Sequence, residues 1–152
     1  MKVDLSLSRK APCELSRRFF FDVANRSLAI CGIRAVDEAD VVSLGAALVD
    51  EEEMRALNRT YRGKDRVTDI LSFGSFPNKK AVIAEEGKID LGDLVLSPDF
   101  IRRAAEEDQV SLEVEMAFIF SHGIFHLLGF RHSPRMFRLQ DEITALYATS
   151  KK

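Results

Sequence analysis

The chain has 152 residues, 46% of them hydrophobic and 30% charged, with a formal net charge of −2. Those values fit one soluble domain with a sizeable core and exclude a polycation, so any binding of nucleic acid has to come from a local basic patch. Two cysteines, Cys13 and Cys31, are too few for a disulfide framework and form no CxxC pair, which points to reduced thiols in a cytosolic protein.

The opening MKVDLSLSRK lacks the apolar run of a secretory signal. No stretch approaches the roughly 18 consecutive apolar residues of a membrane span. The expected location is therefore the cytoplasm, with no membrane partner. Val3, Leu5 and Leu7 alternate with polar residues and predict a strand over 2–8. Residues 13–30 carry Leu15, Phe19, Val23 and Leu28 at helical spacing, with Gly32 as a stop. DVVSLGAALV, residues 40–49, predicts a second strand. Asp50 then caps a helix, with Glu53 as the reaching acid of a capping box and Met54, Leu57 and Tyr61 facing the core.

Ile70–Phe73 and Leu91–Leu96 are short strands, separated by an irregular stretch from Gly74 to Lys88. Ser97-Pro98 starts a polar helix that runs to about Asp108, since proline costs nothing at the first helical position. Ser111 caps the next helix, which runs through FIFSHGIFHLL to Gly129. It is apolar on most faces and is expected to be the central buried helix, with Phe118, Phe120, Phe125 and Phe130 in the core. Ser133-Pro134 opens the last helix, where Phe137, Ile143, Leu146 and Tyr147 are available for packing. The order β-α-β-α-β-β-α-α-α predicts an α+β fold: a single domain over 1–152, with one mixed sheet of about four strands and helices packed around it.

The chain's three histidines all fall in HGIFHLLGFRH, as His122, His126 and His132. The first two lie four apart on the predicted central helix, which puts both imidazoles on one face. Gly129 ends that helix and lets the chain turn back, so that His132 approaches the same point. Three neutral imidazoles with an open fourth position describe a catalytic zinc site holding one ion. The spacing equals that of the metzincin proteases, but Gly123 stands where those enzymes carry the glutamate base. Peptidase chemistry lacks its base here. Hydrolysis of a substrate with its own internal nucleophile stays open, and RNA has one in its 2′-hydroxyl.

The segment LNRTYRGKDRVTDILSF gathers Arg59, Arg62, Lys64 and Arg66 around Gly63, between a helix end and a strand. Arginine holds a phosphate in a two-pronged fork, and Tyr61 offers a face for stacking. A solvated basic turn, partly neutralised by Asp65 and Asp69, is the plainer reading of this segment alone. Together, HGIFHLLGFRH, YRGKDRVTDILSF and LGDLVLS resemble, in the same order, the motifs of the YbeY family of bacterial endoribonucleases. The resemblance spans roughly residues 40–147 and implies an α+β fold and a zinc-dependent endoribonuclease specific for single-stranded RNA. It implies ribosomal RNA as substrate, a role in maturing the 16S rRNA 3′ end and in ribosome quality control, and the small ribosomal subunit and its assembly proteins as partners.

By the same resemblance His122, His126 and His132 are the metal ligands, and Arg62 is the catalytic residue that holds the phosphate in the transition state. Whether the attacker is water activated at the metal or the RNA 2′-hydroxyl is left open. The chain departs from the family at Arg131, where an aspartate is usual. It also departs at Val67 and Gly74, where proline is common, and in the short SPRMFRLQDEI that follows the third histidine. Asp93 and Ser72 read as structural. Two rivals stand beside the nuclease: a non-catalytic, zinc-stabilised ribosome-assembly factor, and a metallopeptidase with an atypical base.

Overall fold

Val42, Leu44, Ala46 and Leu48 are fully or nearly fully buried and the residues between them are half-buried, the pattern of a strand covered on both faces. They belong to β2 (Val41–Leu48), which lies inside the one sheet of the computed structural model, whose described residues are 1–148. β1 (Lys2–Arg9) pairs parallel to β2, and β2 pairs parallel to β4 (Lys88–Leu96). β3 (Ile70–Gly74) runs antiparallel to β4 and forms the far edge, giving the order β1-β2-β4-β3. This is the mixed, four-stranded α+β arrangement that the sequence pattern predicts.

The main core lies between one face of the sheet and the helices α1 (Arg17–Ile30), α6 (Leu112–Leu127) and α7 (Pro134–Ala148). α6 is the central element: Phe120, Ile124 and Phe125 have no exposed surface. Burial of each contributes about 1.5–3 kcal/mol, which is why this helix is apolar nearly all round. A smaller cluster of Val49, Met54 and Leu71 lies on the opposite face under α3 (Glu51–Arg62), with Phe73 and Val95 packed against it. The remaining helices are α2 (Arg34–Glu38), α4 (Lys79–Ile83) and α5 (Pro98–Asp108). No single helix among the described residues is long and apolar enough to cross a membrane.

Local details follow the sequence with some corrections. The first helix begins at Arg17 rather than near residue 13, because the Ser16 hydroxyl accepts from the Phe19 amide at 3.1 Å and fixes the start there. α2 and α4 escape periodicity because five residues span little more than one turn. The Asp50 cap is present, its carboxylate accepting from the Glu53 amide at 2.8 Å, but Glu53 turns to Lys10 instead of closing the box. Tyr61, expected in the core, is 58% exposed. Phe118, also expected in the core, is 42% exposed, and Phe137, expected to pack, is 47% exposed. Phe120, Phe125 and Phe130 are buried as expected. Both cysteines are free thiols, Cys31 buried and Cys13 half-buried.

Candidate metal centre

α6 presents His122 and His126 on one face, and its C-terminus sends the chain back toward them. Gly129 takes a φ of 89°, and the Phe130 amide donates to the Phe125 carbonyl at 3.0 Å, closing the helix end. A side chain at Gly129 would also overlap the backbone of Asn78 and Lys79, so glycine is required by both conformation and space. Ser133 then caps α7, its hydroxyl accepting from the Met136 amide at 3.2 Å. This short connection carries His132 to the other two histidines. The Nε2 of His126 lies 2.9 Å from the Nε2 of His122 and 3.1 Å from that of His132. The three form a group able to hold one metal ion.

The tautomer of His122 follows from what lies behind its ring. The Gln140 amide nitrogen donates to the Phe118 carbonyl at 3.1 Å, so its oxygen faces the Nδ1 of His122, 3.3 Å away. Nδ1 must then be the protonated nitrogen, which leaves a lone pair on Nε2. Burial pushes the His122 and His126 imidazoles below the ordinary histidine value, toward the neutral form a metal requires, and the neighbouring histidines add to the effect. Lone pairs that converge this closely repel one another unless a cation lies among them. The donor set therefore fits one borderline-soft ion with an open coordination position.

Gly123 is buried against the sheet. A Cβ there would come within 2.5 Å of Ile70 Cδ1 and 2.9 Å of Leu94 Cδ2. The position that carries the glutamate base in proteases thus points into the core, and a glutamate has no room here.

Arg62, at the end of α3, reaches the edge strand. Its Nη2 donates to the Ser72 carbonyl at 2.6 Å, and its guanidinium carbon lies 5.0 Å from the centroid of the Phe73 ring. With Asn58, Lys64, Arg66 and Thr68 it lines a cavity of about 290 Å³, and Ile70 borders both this cavity and the one beside His122. Asp65 is taken up by Arg55 and Arg59, at 2.8 and 3.4 Å. Among the described residues no acid pairs with Arg62, Lys64 or Arg66, so the cluster is less neutralised than its sequence suggests.

On the other side of the histidine loop, Arg131 joins Lys79, Lys80 and Arg135 around a cavity of about 330 Å³ that no acid lines. Arg131, at the usual aspartate position, thus adds a cation beside the site. Asp93 pairs in register with Phe73 and lies over Gly45, on the α3 face of the sheet, away from the histidines.

Sequence reasoning missed Gln140, and a signal for it existed. Met136, Gln140, Ile143 and Tyr147 form the buried stripe of α7, and a polar residue in such a stripe needs partners. It also passed over the cavity of about 200 Å³ beside His122, whose lining includes Asp69, Ile70, Phe118 and Phe137.

The family model described as endoribonuclease YbeY matches residues 16–148. Among relatives, an endoribonuclease YbeY of Alkaliphilus oremlandii is 38% identical over 124 residues, covering 82% of this chain and 76% of the relative. One from Oceanobacillus iheyensis is 36% identical over 116 residues, covering 71% of this chain and 75% of the relative. The solution structure of a Thermotoga maritima protein superposes with a TM-score of 0.63 and 23% identity, covering 97% of this chain and 90% of that one, a likeness of fold.

Proposed function

The chain belongs to the YbeY endoribonuclease family, and from that premise we propose that it is, as a single domain, a zinc-dependent endoribonuclease that cuts single-stranded RNA. Ribosomal RNA is its substrate, and its work is maturation of the small-subunit RNA 3′ end and ribosome quality control. It acts in the cytoplasm with the small subunit and its assembly proteins as partners. The observation that carries the catalytic part is the convergence of three histidine Nε2 atoms, with the His122 ring oriented from behind by Gln140.

A zinc ion held by His122, His126 and His132 would supply Lewis-acid charge and lower the pKa of water toward ~7. Arg62 spends one Nη1 and one Nη2 hydrogen on the carbonyls of Tyr61 and Ser72, and a guanidinium has five N–H donors, so donors remain for a phosphate. The cation-lined cavities on either side, one with Arg62, Lys64 and Arg66 and one with Lys79, Lys80, Arg131 and Arg135, give flanking phosphates a favourable path. Net charge is only −2, so this local clustering is what supports binding of a polyanion.

The test is cleavage of an end-labelled single-stranded ribosomal RNA fragment before and after removal of zinc by a chelator. Cleavage lost on chelation and restored by zinc supports the reading. Cleavage indifferent to the chelator contradicts it. The product ends identify the attacker, since a 2′,3′-cyclic phosphate marks attack by the 2′-hydroxyl.

A further inference from the structure

The cavity beside His122 has a chemistry unlike that of the two basic cavities. Phe118 from α6 and Phe137 from α7 both line it, and both rings are open to solvent, at 42% and 47% exposure. Two exposed aromatic rings adjoining one cavity make a contiguous apolar surface of the kind that marks a binding site. The Phe137 ring is held in place by stacking on His132, with centroids 5.9 Å apart and an angle of 28° between planes. Ile70 and Ile119 also line the cavity.

The one charged group in the lining is Asp69. Its Oδ1 accepts from the Ile70 amide at 2.7 Å and from the Thr68 hydroxyl at 3.3 Å, while its Oδ2 has no hydrogen-bond partner among the described residues. The Gln140 amide is already used on both sides, by His122 and Phe118. The cavity therefore offers aromatic faces, aliphatic walls and one free carboxylate oxygen.

A phosphate is repelled from such a place by Asp69, and a ribose has no flat face to stack. A nucleobase has both a π-face and an edge of N–H donors. It is also tied through one ribose to the phosphate it accompanies, so a base next to a phosphate at the histidines lies within reach of a cavity that shares His122.

We propose that this cavity receives the nucleobase adjoining the scissile phosphate, stacked against Phe118 and Phe137, with Asp69 accepting from an exocyclic amine. Adenine, cytosine and guanine carry that amine. Uracil offers only a ring N–H between two carbonyl oxygens, which a carboxylate disfavours. The site thus discriminates against uracil at one position. This inference rests on the endoribonuclease reading above.

The experiment uses the zinc-loaded protein and an oligoribonucleotide whose cut has been mapped, with abasic replacements on each side of that cut. For the parent protein, one of the two abasic positions raises KM by about tenfold, the loss of one stacked base, with kcat little changed. Phe118→Ala and Phe137→Ala raise KM similarly on the intact oligonucleotide, and the abasic replacement then adds nothing. Phe137→Tyr restores the parent KM. Zinc content and melting temperature of each variant confirm that the fold is kept. Asp69→Asn narrows the gap between amine-bearing bases and uracil.

If the parent cuts but its KM ignores both abasic positions, or if the protein and substrate changes multiply independently, the base site is wrong and the nuclease reading survives. If the parent cuts no RNA, the nuclease reading falls and takes this proposal with it.

Discussion

The Nδ1 of His122 faces the side-chain oxygen of Gln140 at 3.3 Å, and the amide nitrogen of Gln140 is anchored on the Phe118 carbonyl. Gln140 thereby fixes which nitrogen of His122 points at the spot where the three Nε2 atoms converge. Gln140→Leu keeps the volume and removes the acceptor. Metal affinity is expected to fall about 10–100-fold, as when other partners of metal-bound histidines are removed. Gln140→Glu keeps the acceptor toward His122 but loses the donor to the Phe118 carbonyl, so it should recover only part of the affinity. Titration against a chelator of known affinity measures both. Unchanged affinity in the leucine variant contradicts the assignment.

Position 123 separates this site from a protease. Gly123→Glu drives a carboxylate into Ile70 and Leu94, and a loss of more than about 3 kcal/mol in urea unfolding is expected, with no peptidase activity gained. Gly123→Ala is milder, because the methyl tips of Ile70 and Leu94 can swing aside and alanine favours the helix by about 1 kcal/mol. A glutamate variant as stable as the parent would contradict the packing described.

Arg62→Ala is expected to slow cleavage of single-stranded RNA on the order of 100-fold, the scale of losing one transition-state donor, with bound metal unchanged. Arg62→Lys should recover only part of the loss, because an ammonium cannot make a two-pronged contact. Parent-like cleavage by a metal-loaded alanine variant removes Arg62 from the role assigned to it.

The Glu115 carboxyl is pushed up to about 7, chiefly by burial, then by its interaction with the Asp108 carboxyl and by the charge of Asp69. A raised value means that the fold favours the protonated form. Its contribution is therefore fully present below the ordinary value of 4.5 and is lost as pH climbs through about 7. Glu115→Gln removes that loss. At pH ~8 its melting temperature should exceed the parent's by roughly 2–4 °C, the shift that about 1 kcal/mol gives a chain of this size, and the gain should vanish near pH 4. Partial solvation of the carboxyl keeps the effect to this scale. An equal shift at both pH values contradicts the assignment.

The histidine group able to hold a metal was legible because its spacing is periodic: a separation of four puts two rings on one helix face, and Gly129 marks the turn that returns the third. The sheet was legible from alternation in β1 and from the apolar run of β2. Exposure was not. Periodicity places Phe118, Phe137 and Tyr61 on a helix face, but whether a neighbour covers that face is a tertiary fact. Asp69 looked like a neutraliser of the basic segment, yet at the entry to β3 it lines the cavity of His122 and not the one of Arg62. Gln140 is distant from His122 in sequence, and only the packing of α7 on α6 brings them together.

The most direct test of the central claim compares the parent protein with His126→Ala, prepared side by side, for bound metal and for cleavage of a labelled single-stranded ribosomal RNA fragment. A three-histidine nuclease predicts about one zinc per chain and cleavage in the parent, with both lost in the variant. Equal cleavage by the two preparations would contradict it, and would leave the histidines to a structural role in ribosome assembly.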